Sequence, residues 1–145
     1  MDDSDLMQMV YLSFATVKLK ADADKQIEAI LEEAVAHNSE VGITGELIYR
    51  NGIFLQLLEG RKSDVEQLLG KILMDSNRHE NMKVLFKQPM VERLFPDWSM
   101  AYVKLDNAAL DLVTTIVPWQ TLINQHPNQT VPPNDVLKVF RELRQ

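Results

Sequence analysis

The sequence has no cysteine. That excludes disulfide bonds, thiolate nucleophiles and zinc sites built on sulfur. It also fits a reducing compartment, and the expected location is the cytoplasm. No stretch approaches the ~20 consecutive apolar residues that a membrane-spanning helix requires. The first residues, Met1-Asp2-Asp3-Ser4-Asp5, are acidic, where a secretory signal would be basic and then apolar. An excess of basic charge is missing as well. The formal net charge is -6, and Lys18, Lys20, Arg50, Arg61, Lys62 and Arg78 are scattered among acids. They read as a solvated surface, not as a field for direct nucleic-acid binding. No internal repeat, low-complexity tract or metal-ligating pattern stands out.

The 145 residues fit one compact domain, and at that length a hydrophobic core can form without covalent staples. Met9 to Ala15 is β-branched and aromatic enough for a first strand. From about Asp24 to Asn38, residues Ile27, Ile30, Leu31, Ala34 and Val35 recur at helical spacing. Asn38 follows Ile27 by almost a whole number of turns, which puts it under the apolar stripe at the helix end.

Glu46 to Arg50 and Ile53 to Leu58 are two strands around Asn51-Gly52, a strong hairpin signal because a type I′ turn needs positive φ at both positions. A two-residue turn pairs Arg50 with Ile53, Tyr49 with Phe54 and Leu47 with Gln56. Leu47, Tyr49, Phe54, Gln56 and Leu58 then share one face, and Ile48, Ile53, Leu55 and Leu57 the other. Both faces are apolar, so the hairpin is expected to be central and covered on both sides.

Ser63-Asp64-Val65-Glu66 has the form of a capping box. It opens a helix whose stripe is Val65, Leu68, Leu69, Ile72 and Leu73. Strands are expected at Met82 to Lys87 and Trp98 to Leu105, joined by a linker with Pro89 and Pro96. The order β-α-β-β-α-β-β predicts an α+β, ferredoxin-like sandwich with a mixed sheet and two helices on one face. Segments 108–117 and 134–144 are expected to be helices covering the other face, with 124–133 as loop. The division is then a domain over 1–105 and a helical cap over 106–145.

Gln56 lies in the middle of the buried strand Phe54-Leu55-Gln56-Leu57-Leu58. Its amide has two donor hydrogens and an acceptor to satisfy, and leaving such groups unpaired costs about 1–3 kcal/mol each. Asn38 poses the same problem on the helix above, and Tyr11 brings a phenol from the first strand. Their convergence between a sheet and two helices suits a planar, polar ligand such as a flavin edge. The bland readings are a backbone-bonded Gln56, an Asn38 that merely ends its helix, and a Tyr11 that packs on the sheet.

Several ordered motifs sharpen this reading. They are Val10-Tyr11-Leu12-Ser13 with Ala15-Thr16, Asn38 through Gly45 with Leu47-Ile48-Tyr49, and Gly52 through Gly60. Asp75 through Arg78-His79 and Phe95 through Met100 follow. Together, over about residues 7–105, they resemble the BLUF domain family. The resemblance implies noncovalently bound FAD, with FMN as the alternative, lying between the two helices. It implies Tyr11 as electron and proton donor, and Gln56 as the amide that bonds Tyr11 and the flavin edge and stores the signal by rearranging. Asn38 would hold the ring's C4 carbonyl and N3 side, with His37 and Phe54 packing nearby. Trp98 and Met100 would relay the change to the C-terminal helices, while Arg78 and His79 read as turn residues. No substrate is transformed, so the implied protein is a photoreceptor and not an enzyme. Its partners would be flavin, a downstream protein and a second copy of itself.

One departure concerns the first strand. The spacing from Tyr11 to Asn38 exceeds the family's by the three residues that separate Tyr11 from Phe14, and a gapless alignment would put Phe14 in the tyrosine position. The local pattern favours Tyr11, with the extra residues in a polar loop around Lys18 to Asp24. Two other classes compete. One is a light-insensitive ferredoxin-like module for a small ligand or protein partner. The other is a hydrolase of the acylphosphatase kind, which the glycine-free stretch Phe14-Ala15-Thr16-Val17-Lys18 disfavours.

Overall fold

A computed structural model describes residues 5–50, 52–75, 78–90, 92–97, 100–104 and 133–143. In chain order the elements are β1 (Leu6–Ala15), α1 (Val17–Lys20), α2 (Ala23–Val41), β2 (Thr44–Arg50), β3 (Ile53–Arg61), α3 (Lys62–Leu73), β4 (His79–Pro89), β5 (Ala101–Lys104) and α4 (Pro133–Leu143). The five strands form one mixed sheet in the order β4-β1-β3-β2-β5, antiparallel except that β5 runs parallel to β2. The fold is α+β and ferredoxin-like.

The hairpin register is the one that the Asn-Gly turn requires. Arg50 pairs with Ile53, Tyr49 with Phe54 and Leu47 with Gln56. Gly52 has φ +81°, the left-handed region where glycine carries no Cβ penalty. Gly45 serves a different need: a Cβ there would stand 1.9 Å from the Leu57 carbonyl oxygen, so only glycine lets the two central strands pair closely.

Alternation along the strands divides the core in two. Met9, Tyr11, Leu47, Tyr49, Phe54 and Leu58 face α2 and α3, where they pack with Ile27, Val65 and Leu69. Val10, Leu12, Ile48, Leu55 and Leu57 face the other way, with Phe95 and with Val136, Leu137 and Phe140 of α4. Phe14 packs at the edge of this far-face cluster. The expected helix over 134–144 is present on the predicted face as Pro133–Leu143, residue 144 lying outside the described residues. Segment 108–117 lies outside the described residues, as does 124–132 of the expected loop; Pro133 already belongs to α4.

Four local expectations need correction. The capping box does not form: α3 starts at Lys62, and its N-cap Arg61 makes no side-chain cap bond. The reason is tertiary, since β3 runs straight into the helix and the Lys62 N–H is taken by the Asp5 carbonyl at 2.9 Å. The polar loop around Lys18 is the helical turn α1, capped by Thr16 Oγ1 accepting from Leu19 N at 3.1 Å, with Leu19 buried. Val35 and Leu73, assigned to apolar stripes, are exposed, because a narrower edge of each helix suffices to cover the sheet. Strand bounds also shift: β1 and β4 are longer than expected, and Met100 lies outside β5, which begins at Ala101.

Candidate functional site

The site lies between α2, α3 and the middle of the sheet. A cavity of about 400 Å³ is walled there by residues that include Tyr11, Ile30, His37, Asn38, Gln56 and Leu68, with Arg78 and His79 at the turn into β4. Strand pairing sets Tyr11 directly opposite Gln56 across β1 and β3. Directly opposed residues share a face, so both side chains enter the cavity wall. The Tyr11 hydroxyl donates to Gln56 Oε1. The Gln56 Nε2 donates to Met100 Sδ at 3.3 Å, at the approach to β5. The amide thus bridges a phenol on one side and a thioether on the other. Phe14 points into the far-face cluster instead, as three-residue spacing on a strand demands.

Tyr11 is 1% exposed. Burial, and secondarily the Asp75 charge, push its phenol well above the usual tyrosine range, so it keeps its proton. Asn38 is fully buried on the last turns of α2. Its carbonyl accepts from the N–H groups of Gly42 and Ile43 at 2.8 and 3.0 Å, and Gly42, at φ +75°, ends the helix. Asn38 is therefore not the terminating residue; its side chain stands in the cavity wall, one turn before the stop.

Phe54 is fully buried but is not part of the cavity wall. Its ring stands behind His79, with centroids 4.8 Å apart. Trp98 lies outside the described residues. Two residues read from the sequence as turn residues instead line the cavity. His79 Nδ1 sits 2.9 Å from Ser13 Oγ, and its ring meets Tyr11 edge-on at 6.3 Å. Burial pulls its pKa down to about 4, so the imidazole is neutral near pH 7. Arg78 bonds Glu33 of α2 with two guanidinium nitrogens at 2.6 and 3.2 Å. The pair ties α2 to the turn before β4, and Arg78 holds the Glu33 carboxyl below its usual range. A bulge helps to aim this corner: β4 slips register against β1 between Leu12 and Phe14, and Asn81 takes φ +52° beside it. The sequence signal was available in Asp75 through His79, a polar run entering a strand.

Among the described residues there is no cluster of three or more potential metal ligands, and no helix is long and apolar enough to cross a membrane.

The comparisons with known proteins agree on one family. The family model for BLUF, sensors of blue-light using FAD, matches residues 6–101. The photoactivated adenylate cyclase subunit beta of Euglena longa is 33% identical over 85% of this chain, which spans only 13% of that relative. Among solved structures, the photo-activated state of BlsA superposes with a TM-score of 0.80 at 28% identity, covering 95% of this chain and 94% of the other. The dark state of BlrB, a BLUF protein, gives 0.74 at 26% identity, covering 97% and 98%. BLUF domains bind flavin, and the cavity fits that group. Apolar Ile30, Ala34, Leu68 and Ile72 suit the faces of a planar ring, and the amides of Asn38 and Gln56 suit its edge of alternating donors and acceptors. The chain belongs to the BLUF family of flavin-binding blue-light sensors.

Proposed function

We propose that this chain senses blue light through the Tyr11–Gln56–Met100 network, with FAD in the cavity between α2 and α3. The observation that carries the reading is the Gln56 amide, which accepts from the Tyr11 hydroxyl and donates to Met100 Sδ in the wall of that cavity. Bound flavin would supply a light-absorbing ring that becomes a strong oxidant on excitation. Tyr11 is the chain's electron and proton donor there. Its phenol is neutral, buried and already aimed at Gln56 Oε1. Movement of that proton onto Oε1 and rotation or tautomerisation of the amide, followed by return of the electron and of one proton to Tyr11, restore the phenol and leave the amide with its donor and acceptor ends exchanged. The N–H that Met100 Sδ received is then withdrawn. A two-state amide is enough to convert light into a changed network.

Asn38 would anchor the ring edge, with His37 beside it. Phe54 acts at one remove, by packing His79 into the wall. Met100, with Trp98, would carry the change toward the C-terminal cap, so that 1–105 is the sensing unit and 106–145 the cap. We read the chain as a sensor and not a catalyst, since the BLUF domain is a sensor and the site needs no nucleophile or general base. Its location would be cytoplasmic, and its output would pass to a protein partner or within a homo-oligomer.

Gln56→Leu tests this directly. The substitution keeps approximate volume and removes the amide. The variant is expected to stay yellow and to lose its light-induced red shift, measured by absorption. Normal photoconversion in that variant would reduce Gln56 to a packing residue.

A further inference from the structure

Glu59 is 0% exposed, yet it lies at the end of β3 on the far face, away from the cavity, in line with Leu55 and Leu57. A buried carboxyl is costly unless its oxygens are satisfied, and here they are. Oε2 accepts from Gln8 Nε2 and from the Leu94 N–H, each at 2.8 Å, and Oε1 accepts from the Phe95 N–H at 2.8 Å. Gln88 Nε2 donates to Gln8 Oε1 at 2.8 Å and braces the chain from β4. Arg93 Nη1 reaches Thr44 Oγ1 at 2.9 Å and the Glu59 carbonyl at 3.1 Å. Arg93, Leu94 and Phe95, all between β4 and β5, are thereby held to the end of β3 and to Thr44, while Gln8 and Gln88 fix the Glu59 carboxyl from the neighbouring strands.

That segment joins the two faces of the sheet. It must pass from the β4 edge to the β5 edge, since those strands lie at opposite ends of the order. On the way it lays Phe95 into the cluster that holds Val136, Leu137 and Phe140 of α4. It then delivers Met100 to Gln56. One short stretch therefore meets the Gln56 amide at one end and enters the cluster that holds α4 at the other, and Glu59 pins it at Leu94 and Phe95.

We infer that Glu59 is a positioning residue for signal output: it holds residues 94–95 as a fulcrum, so that a change at the Gln56–Met100 contact shifts Phe95 against α4. The inference rests on the proposed role of Gln56 and adds the route by which its state leaves the flavin face. With the fulcrum loosened, the linker absorbs the motion and the far face does not respond. Glu59→Gln is the sharpest lesion. The Leu94 and Phe95 N–H groups bond different oxygens, and an amide can accept at one of them only.

The test is backbone hydrogen exchange of residues 133–143 in the flavin-loaded full chain, in darkness and under blue light, beside absorption spectra of the same samples. In the wild type, light is expected to change exchange in α4 by about threefold or more, a local opening within the range such measurements resolve. Glu59→Gln and the milder Arg93→Met are expected to keep the red shift while the light-induced change in α4 disappears or shrinks. If Glu59→Gln does not fold, Arg93→Met and Gln8→Leu decide. Full light-induced change in α4 in the folded variants would overturn the inference. So would a wild type that shifts to the red with no change in α4. A wild type with no red shift would instead remove the sensor reading on which the inference stands.

Discussion

Two residues on β1 carry much of the functional argument. Tyr11 and Phe14 are three apart on a strand, so they face opposite sides of the sheet. Tyr11 is bonded to Gln56, and Phe14 packs with the far-face cluster. Tyr11→Phe is expected to leave the protein yellow and to abolish the red shift, because the hydroxyl is lost while the ring is kept. Phe14→Tyr is expected to leave the photoreaction unchanged and to lower the unfolding midpoint, since it brings a hydroxyl to an apolar cluster. A red shift that survives Tyr11→Phe would remove Tyr11 from the mechanism.

Glu46 ties stability to pH. It is 1% exposed on β2, its Oε1 has no hydrogen-bond partner among the described residues, and burial raises its pKa to about 7 from the usual 4.5. The folded protein therefore holds a proton that the unfolded chain releases between those values. Stability from the neutral Glu46 is fully present below about pH 4.5 and is lost as pH rises through about 7. Glu46→Gln is already neutral and is spared that loss. Its stability relative to the wild type is expected to rise across this window and level off above it, by about 1–3 kcal/mol, the cost of an unsatisfied buried group. His79 shifts in the opposite sense but is present in both proteins and cancels in the comparison. Denaturant unfolding at pH 4.5 and pH 8 measures the difference; a gap independent of pH would show that Glu46 is ionised in the fold.

Among the elements, those specified by local pattern and those specified by tertiary contact behave differently. The β2–β3 hairpin was legible because turn chemistry and alternation agree: Asn51-Gly52 sets the register, and Leu47 and Gln56 follow from it. The start of α3 was not. Ser63 and Glu66 have capping-box spacing, but a distant carbonyl at Asp5 meets the first N–H, and no local pattern reports that. The turn α1 was hidden because its one inward residue, Leu19, is too little for a periodic signal. The last helix, α4, has its value in tertiary packing. Val136, Leu137 and Phe140 bury completely against Val10, Leu12, Ile48, Leu55 and Leu57. Ending the chain before residue 133 would expose an apolar patch that soluble proteins seldom leave open. The truncated protein is expected to aggregate or to form a new oligomer by light scattering; a well-behaved monomer would show that α4 is dispensable as a cover.

For the molecule as a whole, the division of the sheet into a ligand face and a cap face was readable from alternation, and Tyr11, Asn38 and Gln56 stood out because polar groups in apolar elements need partners. Two further buried carboxyls obey the same rule. Glu59 keeps step with Leu55 and Leu57, and Glu46 with Ile48, so parity alone places both carboxyls on the far apolar face. Arg78 and His79 were read as turn residues; their place in the cavity wall depends on a bulge in β4 that the sequence marks only by Asn81. On the proposed reading, a flavin in this cavity, read by Gln56, turns blue light into a changed hydrogen-bond network. The most direct measurement is the absorption spectrum of the flavin-loaded full chain before and after blue light. The expected result is a yellow protein whose band moves slightly to the red on illumination and returns in darkness. A preparation that stays colourless after reconstitution with FAD, or a yellow one whose spectrum does not move under blue light, would contradict it.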